Sequence, residues 1–163
     1  MGVNAGSRAS DLSDLITPEC VLPRLAVTSR RQALSTLSET LARGARLDPR
    51  VVFDAVLMRE RLNGTGVGEG VAIPHALVKG VTHPIGAFAR LESAQDFEAL
   101  DKRPADLVFL LIAPLDRGGD HLKALARVSR FLRRADAREK LRGARGADEL
   151  YALFAGALHS DAA

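Results

Sequence analysis

The sequence predicts a single α/β domain, a sandwich in which a mixed central β-sheet is flanked by helices. Its length of 163 residues suits one domain of ordinary size. Hydrophobic residues make up 47% of the chain and charged residues 26%, which is the balance of a folded globular protein and excludes a disordered one. Helical patterns occupy both ends of the chain and strand patterns occupy its middle, so helices are available to cover a sheet.

The chain begins with a stretch that has no structural pattern. Residues 1–10 contain no apolar run, so we interpret them as a flexible N-terminal tail ahead of one domain at residues 11–157. A short apolar patch at residues 12–16 follows and ends at Pro18. No run approaches the roughly 18 apolar residues of a membrane span. The single Cys20 cannot form an internal disulfide, which fits a reducing cytoplasm, and we expect a cytoplasmic protein without membrane insertion.

Two helices are expected next. The first has Thr28 as its expected N-cap, apolar residues at helical spacing from Arg30 onward and Gly44 as its stop. The second opens at Asp48–Pro49, with Asp as the cap and Pro at the first helical position, and should run to about Leu62.

The middle of the chain predicts the sheet. Three short strands are expected there: residues 71–73, 85–91 and 96–100. Residues 106–113 are nearly all apolar, which is typical of a central strand buried on both faces. Three helices are expected to close the fold: residues 120–134, 137–142 and 147–157. Asp120 is the expected N-cap of the first of them.

A glycine-rich turn leads to a histidine. Gly66, Gly68 and Gly70 alternate in GTGVGEG, a segment that holds four of the chain's 14 glycines within seven residues. Backbone N–H groups in such a turn can bind an anion. The spacing matches neither glycine-rich nucleotide motif, and a helix rather than a strand precedes it. Counting glycines alone therefore favours a flexible connector.

Pro74 and His75 follow the turn. Pro74 fixes the backbone, so the imidazole of His75 is presented from a stiff segment. A neutral imidazole is a competent nucleophile near neutral pH, and its nitrogen can carry a phosphoryl group. A lone histidine is more often structural or simply exposed, so the residues alone leave both interpretations open.

The stretch TGVGEGVAIPHA, residues 65–76, resembles the active-site signature of the type-2 enzyme IIA domains of the bacterial phosphotransferase system, the fructose–mannitol group. The preceding Met58–Arg59–Glu60, the strand that starts at Asp106 and the later His121–Leu122 are similar to further parts of that family's pattern. The resemblance covers nearly the whole chain. The segments DLITPECVL and GVAIPHA are most similar to the family's nitrogen-regulatory branch, which implies a stand-alone domain.

The resemblance implies a phosphotransferase that carries a phosphoryl group donated by a phosphohistidine of an HPr-type or NPr-type protein. It implies that His75 takes the group on Nε2, that Arg59 contacts the phosphoryl oxygens and that His121 orients the first histidine. The guanidinium fork suits those oxygens, and the glycine turn is expected to add backbone donors as a phosphate-binding loop. No cofactor, nucleotide or metal is expected, because the donor is itself a phosphohistidine.

The output of such a carrier has alternatives. The nitrogen-regulatory resemblance implies regulation of kinases, potassium transporters or similar proteins by phosphorylation-dependent binding. A IIA subunit that feeds the IIB domain of a fructose- or mannitol-type transporter is the alternative within the family. A non-catalytic binding module and a nucleic-acid-binding protein are further alternatives. A net charge of +3 and 4% aromatic residues weigh against nucleic acid as a partner.

Other polar residues are interpreted as surface groups. Four of them are expected in loops, on the outer side of a helix or in the C-terminal tail: Arg61, Glu69, His83 and His159. A group of arginines in the C-terminal third is expected to form a solvated face or, alternatively, to dock an acidic partner: Arg127, Arg130, Arg133, Arg134 and Arg138.

Overall fold

The computed structural model describes residues 11–116 and 118–158, so the expected tail at residues 1–10 and His159 lie outside the described part. That part contains six strands: β1 (Ile16–Leu25), β2 (Gly66–Gly68), β3 (Val71–Ala72), β4 (His75–Val78), β5 (Ile85–Gln95) and β6 (Ala105–Pro114). It also contains five helices: α1 (Arg30–Ala45), α2 (Pro49–Leu62), α3 (Gly118–Arg133), α4 (Ala135–Gly143) and α5 (Ala147–Phe154). The predicted single α/β domain is confirmed.

The strands form one mixed sheet in the order β1-β5-β6-β3-β2, and β4 also pairs with β6. β6 runs parallel to β3 and β4 but antiparallel to β5, which is itself parallel to β1. β3 and β4 therefore act as one strand that is interrupted at residues 73–74. The interruption places His75 at the start of β4, opposite Leu111 in the register.

The hydrophobic core is centred on β6. Every residue from 107 to 113 is fully buried, as expected of a strand that is covered on both faces. Phe88 and Phe109 pair across β5 and β6, and both rings contact Phe154 of α5, with centroids 4.9 Å and 5.7 Å away. Helix α5 therefore covers that face, while α1 and α2, which pack against β5, β4 and each other, cover the opposite one.

Four strand predictions differ from the structure: β1, β2 and β4 are not predicted, and one predicted strand is absent. The sequence does not predict β1, because Pro18 and Pro23 argue against a strand interior. β1 lies at the edge of the sheet, where a missing N–H costs no ladder bond, and irregular register accommodates the chain. The predicted strand at residues 96–100 is wrong. Asp96 accepts a hydrogen bond from the N–H of Glu98 at 2.7 Å, and Glu98 has a positive φ of 60°, so the chain turns there.

The start and end of α1 also differ. Ser29, not Thr28, is the N-cap, because the Ser29 hydroxyl accepts the N–H of Gln32 at 3.0 Å. Thr28 instead donates its N–H to the side chain of Gln32 at 2.7 Å, which completes a reciprocal cap. Gly44 lies within the last turn, and the helix ends at Ala45, followed by Arg46 as a C-cap with a left-handed φ of 58°.

The second predicted helix is confirmed as α2, with Asp48 accepting the N–H of Arg50 at 2.9 Å. Asp120 lies in the first turn of α3, which begins at Gly118, so its predicted role as N-cap is wrong. There its carboxylate is favourably placed near the positive end of the helix dipole. No helix in the described part of the chain has the length and apolar character needed to cross a bilayer.

Gly86 of β5 is a position where a side chain should destabilise the core. A Cβ there would lie 2.5 Å from Cε1 of Phe109 and 3.1 Å from the carbonyl oxygen of Leu110. We expect Gly86→Ala to lower the free energy of unfolding by about 1–3 kcal/mol, measured by urea denaturation. Gly143→Ala is the matched control, because nothing lies within 4 Å of its Cβ position. Equal stability of the two variants would contradict the prediction.

Candidate active site

His75 is held by a hydrogen bond that selects one of its two neutral tautomers. Its Nδ1 lies 2.8 Å from the carbonyl oxygen of Ile73. A carbonyl oxygen only accepts, so the proton of the neutral ring lies on Nδ1. Nε2 then keeps a free lone pair. Ile73 is free to make this bond because it lies in the interruption between β3 and β4, outside the sheet ladder.

The surroundings of His75 keep its ring neutral. Burial lowers the pKa of His75 below the ordinary 6.5, against the hydrogen bond to Ile73, which raises it. The positive charge of Arg59 and the neighbouring His121 lower that pKa further. Burial and Arg59 also lower the pKa of His121. Both imidazoles are therefore uncharged at neutral pH, which leaves Nε2 of His75 available as a nucleophile.

His121 lies in the first turn of α3 and faces His75. The two ring centroids are 5.2 Å apart, and the ring planes are tilted by 40°. Nδ1 of His121 is buried and has no hydrogen-bond partner among the described residues. A buried polar atom without a partner is costly, and the described residues supply none for this nitrogen. The structure thus brings together the two histidines that the sequence singles out.

Arg59 comes from the last turn of α2. Its Nη1 donates to the carbonyl oxygen of Asn63 at 2.9 Å, which ties the half-buried guanidinium to the end of its own helix. No carboxylate in the described part of the chain forms an ion pair with it. The structure places this positive charge beside His75, since both residues line one cavity of about 250 Å³.

The cavity contains no acidic side chain. Its lining is Arg59, Gly64, Thr65, Gly66, Val67, Ile73, His75, Leu125 and Ser129. The sequence does not predict Leu125 and Ser129 as lining residues, although they follow His121 by four and eight residues and so share its face of α3. No three His, Cys, Asp or Glu side chains of residues 11–116 and 118–158 lie close enough together to hold a metal ion. The cavity is therefore suited to an anion.

The glycines of the predicted phosphate-binding loop lie in the β2–β3 hairpin. Gly66 borders the cavity, but its N–H already donates to the carbonyl oxygen of Phe97 at 2.9 Å. Gly68 and Gly70 do not line the cavity, and their positive φ values of 97° and 76° give them a role in the turn. Arg142 fixes this turn by donating to the carbonyl oxygen of Glu69 at 2.8 Å. Donation from the glycine loop to a phosphoryl group stays a prediction.

Some of the other polar residues are exposed, and others form ion pairs. Three are exposed, as predicted: Arg61, Glu69 and His83. The arginine face is only partly solvated, because two of its members form ion pairs, Arg127 with Asp14 at 2.8 Å and Arg134 with Asp136 at 2.9 Å. Cys20 is buried.

These features define a phosphocarrier of the IIA type. The chain belongs to the family described as phosphoenolpyruvate-dependent sugar phosphotransferase system, EIIA 2, which matches residues 14–156. It is accordingly a phosphotransferase that carries a phosphoryl group, and the family resemblance seen in the sequence is confirmed.

Within the family, the chain is similar to nitrogen-regulatory and sugar-specific members. The nitrogen regulatory protein of Bradyrhizobium diazoefficiens is 47% identical over 144 residues, which cover 88% of this chain and 94% of that protein. The PTS system fructose-specific EIIA component of Haloferax volcanii is 38% identical over 133 residues, which cover 81% and 86%. The crystal structure of nitrogen regulatory protein IIA-Ntr from Neisseria meningitidis has a TM-score of 0.81 and 30% identity, and the match covers 87% of this chain and 97% of that one.

Removing the charge of Arg59 should raise the pKa values of both histidines. Arg59→Gln removes the positive charge that lowers them, while burial still holds both below 6.5. Arg59→Lys keeps the charge and should titrate close to the wild type. The measurement is an NMR titration of the imidazole resonances. A wild-type His75 that titrates at or above 6.5, or an Arg59→Gln variant with unmoved midpoints, would contradict this electrostatic account.

Proposed function

We propose that His75 accepts a phosphoryl group on Nε2 from a phosphohistidine of an HPr-type or NPr-type protein. The observation that carries this proposal is the hydrogen bond from Nδ1 of His75 to the carbonyl oxygen of Ile73, because it leaves Nε2 as the nucleophilic nitrogen. The family membership supports the reaction, and the cavity of about 250 Å³ offers room for the transferred group.

The transfer balances without the loss of a proton. The Nε2 lone pair forms the new N–P bond as the N–P bond of the donor breaks, and the electron pair of that bond returns to the donor imidazole. The His75 ring then carries a positive charge while Nδ1–H still donates to Ile73. The fixed carbonyl dipole of Ile73 stabilises that charge as it develops.

Arg59 and His121 stabilise the negative charge of the phosphoryl oxygens. The guanidinium of Arg59 has no carboxylate partner in the described part of the chain, so its planar donors are available to the oxygens. His121 faces His75 with ring centroids 5.2 Å apart, so a ring N–H of His121 can donate a hydrogen bond to the phosphoryl group. Positioning and charge neutralisation of this kind are what phosphoryl transfer requires from a protein.

Exposed apolar side chains beside these residues support docking of a protein donor. Four of them are more than half exposed: Met58, Leu62, Val67 and Leu122, at 68%, 77%, 58% and 66%. Met58 precedes Arg59, Leu122 follows His121, and Val67 lines the His75 cavity. Apolar surface grouped around a reactive residue is typical of a protein–protein contact.

We propose a regulatory output, in which target proteins such as kinases and potassium transporters in the cytoplasm distinguish the phosphorylated form from the free form. The 47% identity to a nitrogen regulatory protein supports it. The alternative is a IIA subunit that passes the group to the IIB domain of a fructose- or mannitol-type transporter, which the 38% identity to a fructose-specific EIIA component supports. Rapid transfer from the phosphorylated protein to a purified IIB domain would favour the alternative.

Phosphorylation should depend on His75 alone among the described histidines. Incubation with a phosphorylated HPr-type donor should add one phosphoryl group that is labile in acid and stable in base, detected by intact mass spectrometry. His75→Ala should add none, because the nucleophile is gone. His83→Ala is the matched control, since His83 is exposed, and it should be labelled like the wild type. Equal labelling of the His75→Ala variant would refute the assignment.

Loss of His121 should slow the transfer without preventing it. His121→Ala removes one donor to the phosphoryl oxygens, and we expect the rate of transfer from the donor to fall by roughly tenfold or more. The final extent of labelling should remain one group, because His75 is intact. Rapid-quench kinetics would measure both quantities. A wild-type rate in this variant would show that His121 takes no part in the transfer.

A further inference from the structure

Glu60 is an unexpected residue for the core. It is 1% exposed, and among the described residues it is the only charged side chain that is buried. Burial raises the pKa of its carboxyl group. A buried carboxylate contributes little net stability even when it is paired, because it must be removed from water. Its position therefore calls for a reason other than stability.

The carboxylate of Glu60 holds Thr65 at two points. Oε2 accepts the N–H of Thr65 at 3.0 Å, and Oε1 accepts its hydroxyl at 2.6 Å. Arg30 of α1 adds a longer contact of 3.4 Å to Oε2, because its guanidinium is shared with Glu98 at 2.7 Å. Glu60 of α2 thus fixes both the backbone and the hydroxyl of Thr65, which follows the helix.

Thr65 needs such a restraint because it lies between two glycines that must remain glycine. A Cβ at Gly64 would lie 2.5 Å from Cβ of Glu98, and a Cβ at Gly66 would lie 2.8 Å from Cβ of Ala99. Neither position can therefore take a stiffer residue without displacing the neighbouring loop. Glycine gives a chain extra conformational freedom, and the bonds from Glu60 restrict it at Thr65.

Thr65 in turn holds the group that orients the candidate nucleophile. Its carbonyl oxygen accepts the N–H of Ile73 at 3.0 Å, and the carbonyl oxygen of Ile73 accepts Nδ1–H of His75 at 2.8 Å. We propose that Glu60 is a positioning residue, which acts through Thr65 and Ile73 to hold His75 in the tautomer with a free Nε2.

The effect of Glu60 on phosphoryl transfer rests on the proposed function, but its effect on the tautomer of His75 does not. Without Glu60, the segment around Thr65 loses its restraint and the carbonyl oxygen of Ile73 is no longer fixed. The ring of His75 then samples the Nε2–H tautomer, in which the nitrogen that faces the donor is protonated. The tautomer can be measured in the free protein, with no donor present.

The test compares three variants at a temperature where each is folded. Glu60→Ala removes both bonds to Thr65. Glu60→Gln keeps the side-chain length and can still accept the Thr65 N–H while its amide donates to the hydroxyl, so it should rescue the geometry. Val52→Ala is the matched control for lost packing, because Val52 is fully buried in the same helix. The readouts are the ¹⁵N shifts of the His75 ring and the rate of labelling by the phosphorylated donor.

We expect Glu60→Ala to lose the excess of the Nδ1–H tautomer and to react roughly tenfold more slowly or worse, as misplaced reacting groups do. Val52→Ala should lower the melting temperature but leave the His75 tautomer and the labelling rate unchanged. Glu60→Gln should resemble the wild type. A Glu60→Ala variant that is destabilised but keeps the wild-type tautomer would overturn the proposal. If the wild type itself is not labelled, the proposed function fails, while the ¹⁵N shifts still decide whether Glu60 positions His75.

Discussion

The hydrogen bond from Nδ1 of His75 to the carbonyl oxygen of Ile73 is the interaction on which the site depends. It exists because the strand beside β6 is interrupted at residues 73–74, which removes Ile73 from the sheet ladder while β4 resumes at His75. β6, whose residues 107–113 are fully buried, pairs with both halves of the interrupted strand and holds them in place. A stable sheet and an irregular segment within it are therefore both required to present Nε2.

The charges around this bond explain how the site can accept a phosphoryl group. Arg59, which has no carboxylate partner in the described part, and His75 line a cavity without acidic side chains, and His121 faces His75. The pKa values of both histidines are lowered. In the proposed transfer, the phosphoryl group meets a neutral nucleophile in His75 and the positive charge of Arg59. Once bound, it places negative charge next to exposed apolar side chains such as Val67. That difference between the two states is what a partner surface could recognise.

The sequence predicts the buried strand β6, helix α2 and the grouping of His75, Arg59 and His121, because long apolar runs, helix caps and a family motif are local signals. It does not predict β1, because two prolines argue against a strand there. It also does not predict the turn at Asp96, which depends on a side-chain hydrogen bond. The tautomer of His75 and the role of Glu60 depend on contacts between distant segments. Spacing within α3 could have identified Ser129 once His121 was chosen.

The most direct test of the central claim is the position of the phosphoryl group on the His75 ring. The protein labelled with ¹⁵N-histidine can be phosphorylated by an HPr-type donor and examined for ³¹P–¹⁵N coupling by NMR. The account predicts coupling to Nε2, with Nδ1 still protonated and bonded to Ile73. Coupling to Nδ1 would contradict it, because that nitrogen could react only after the hydrogen bond to Ile73 had broken.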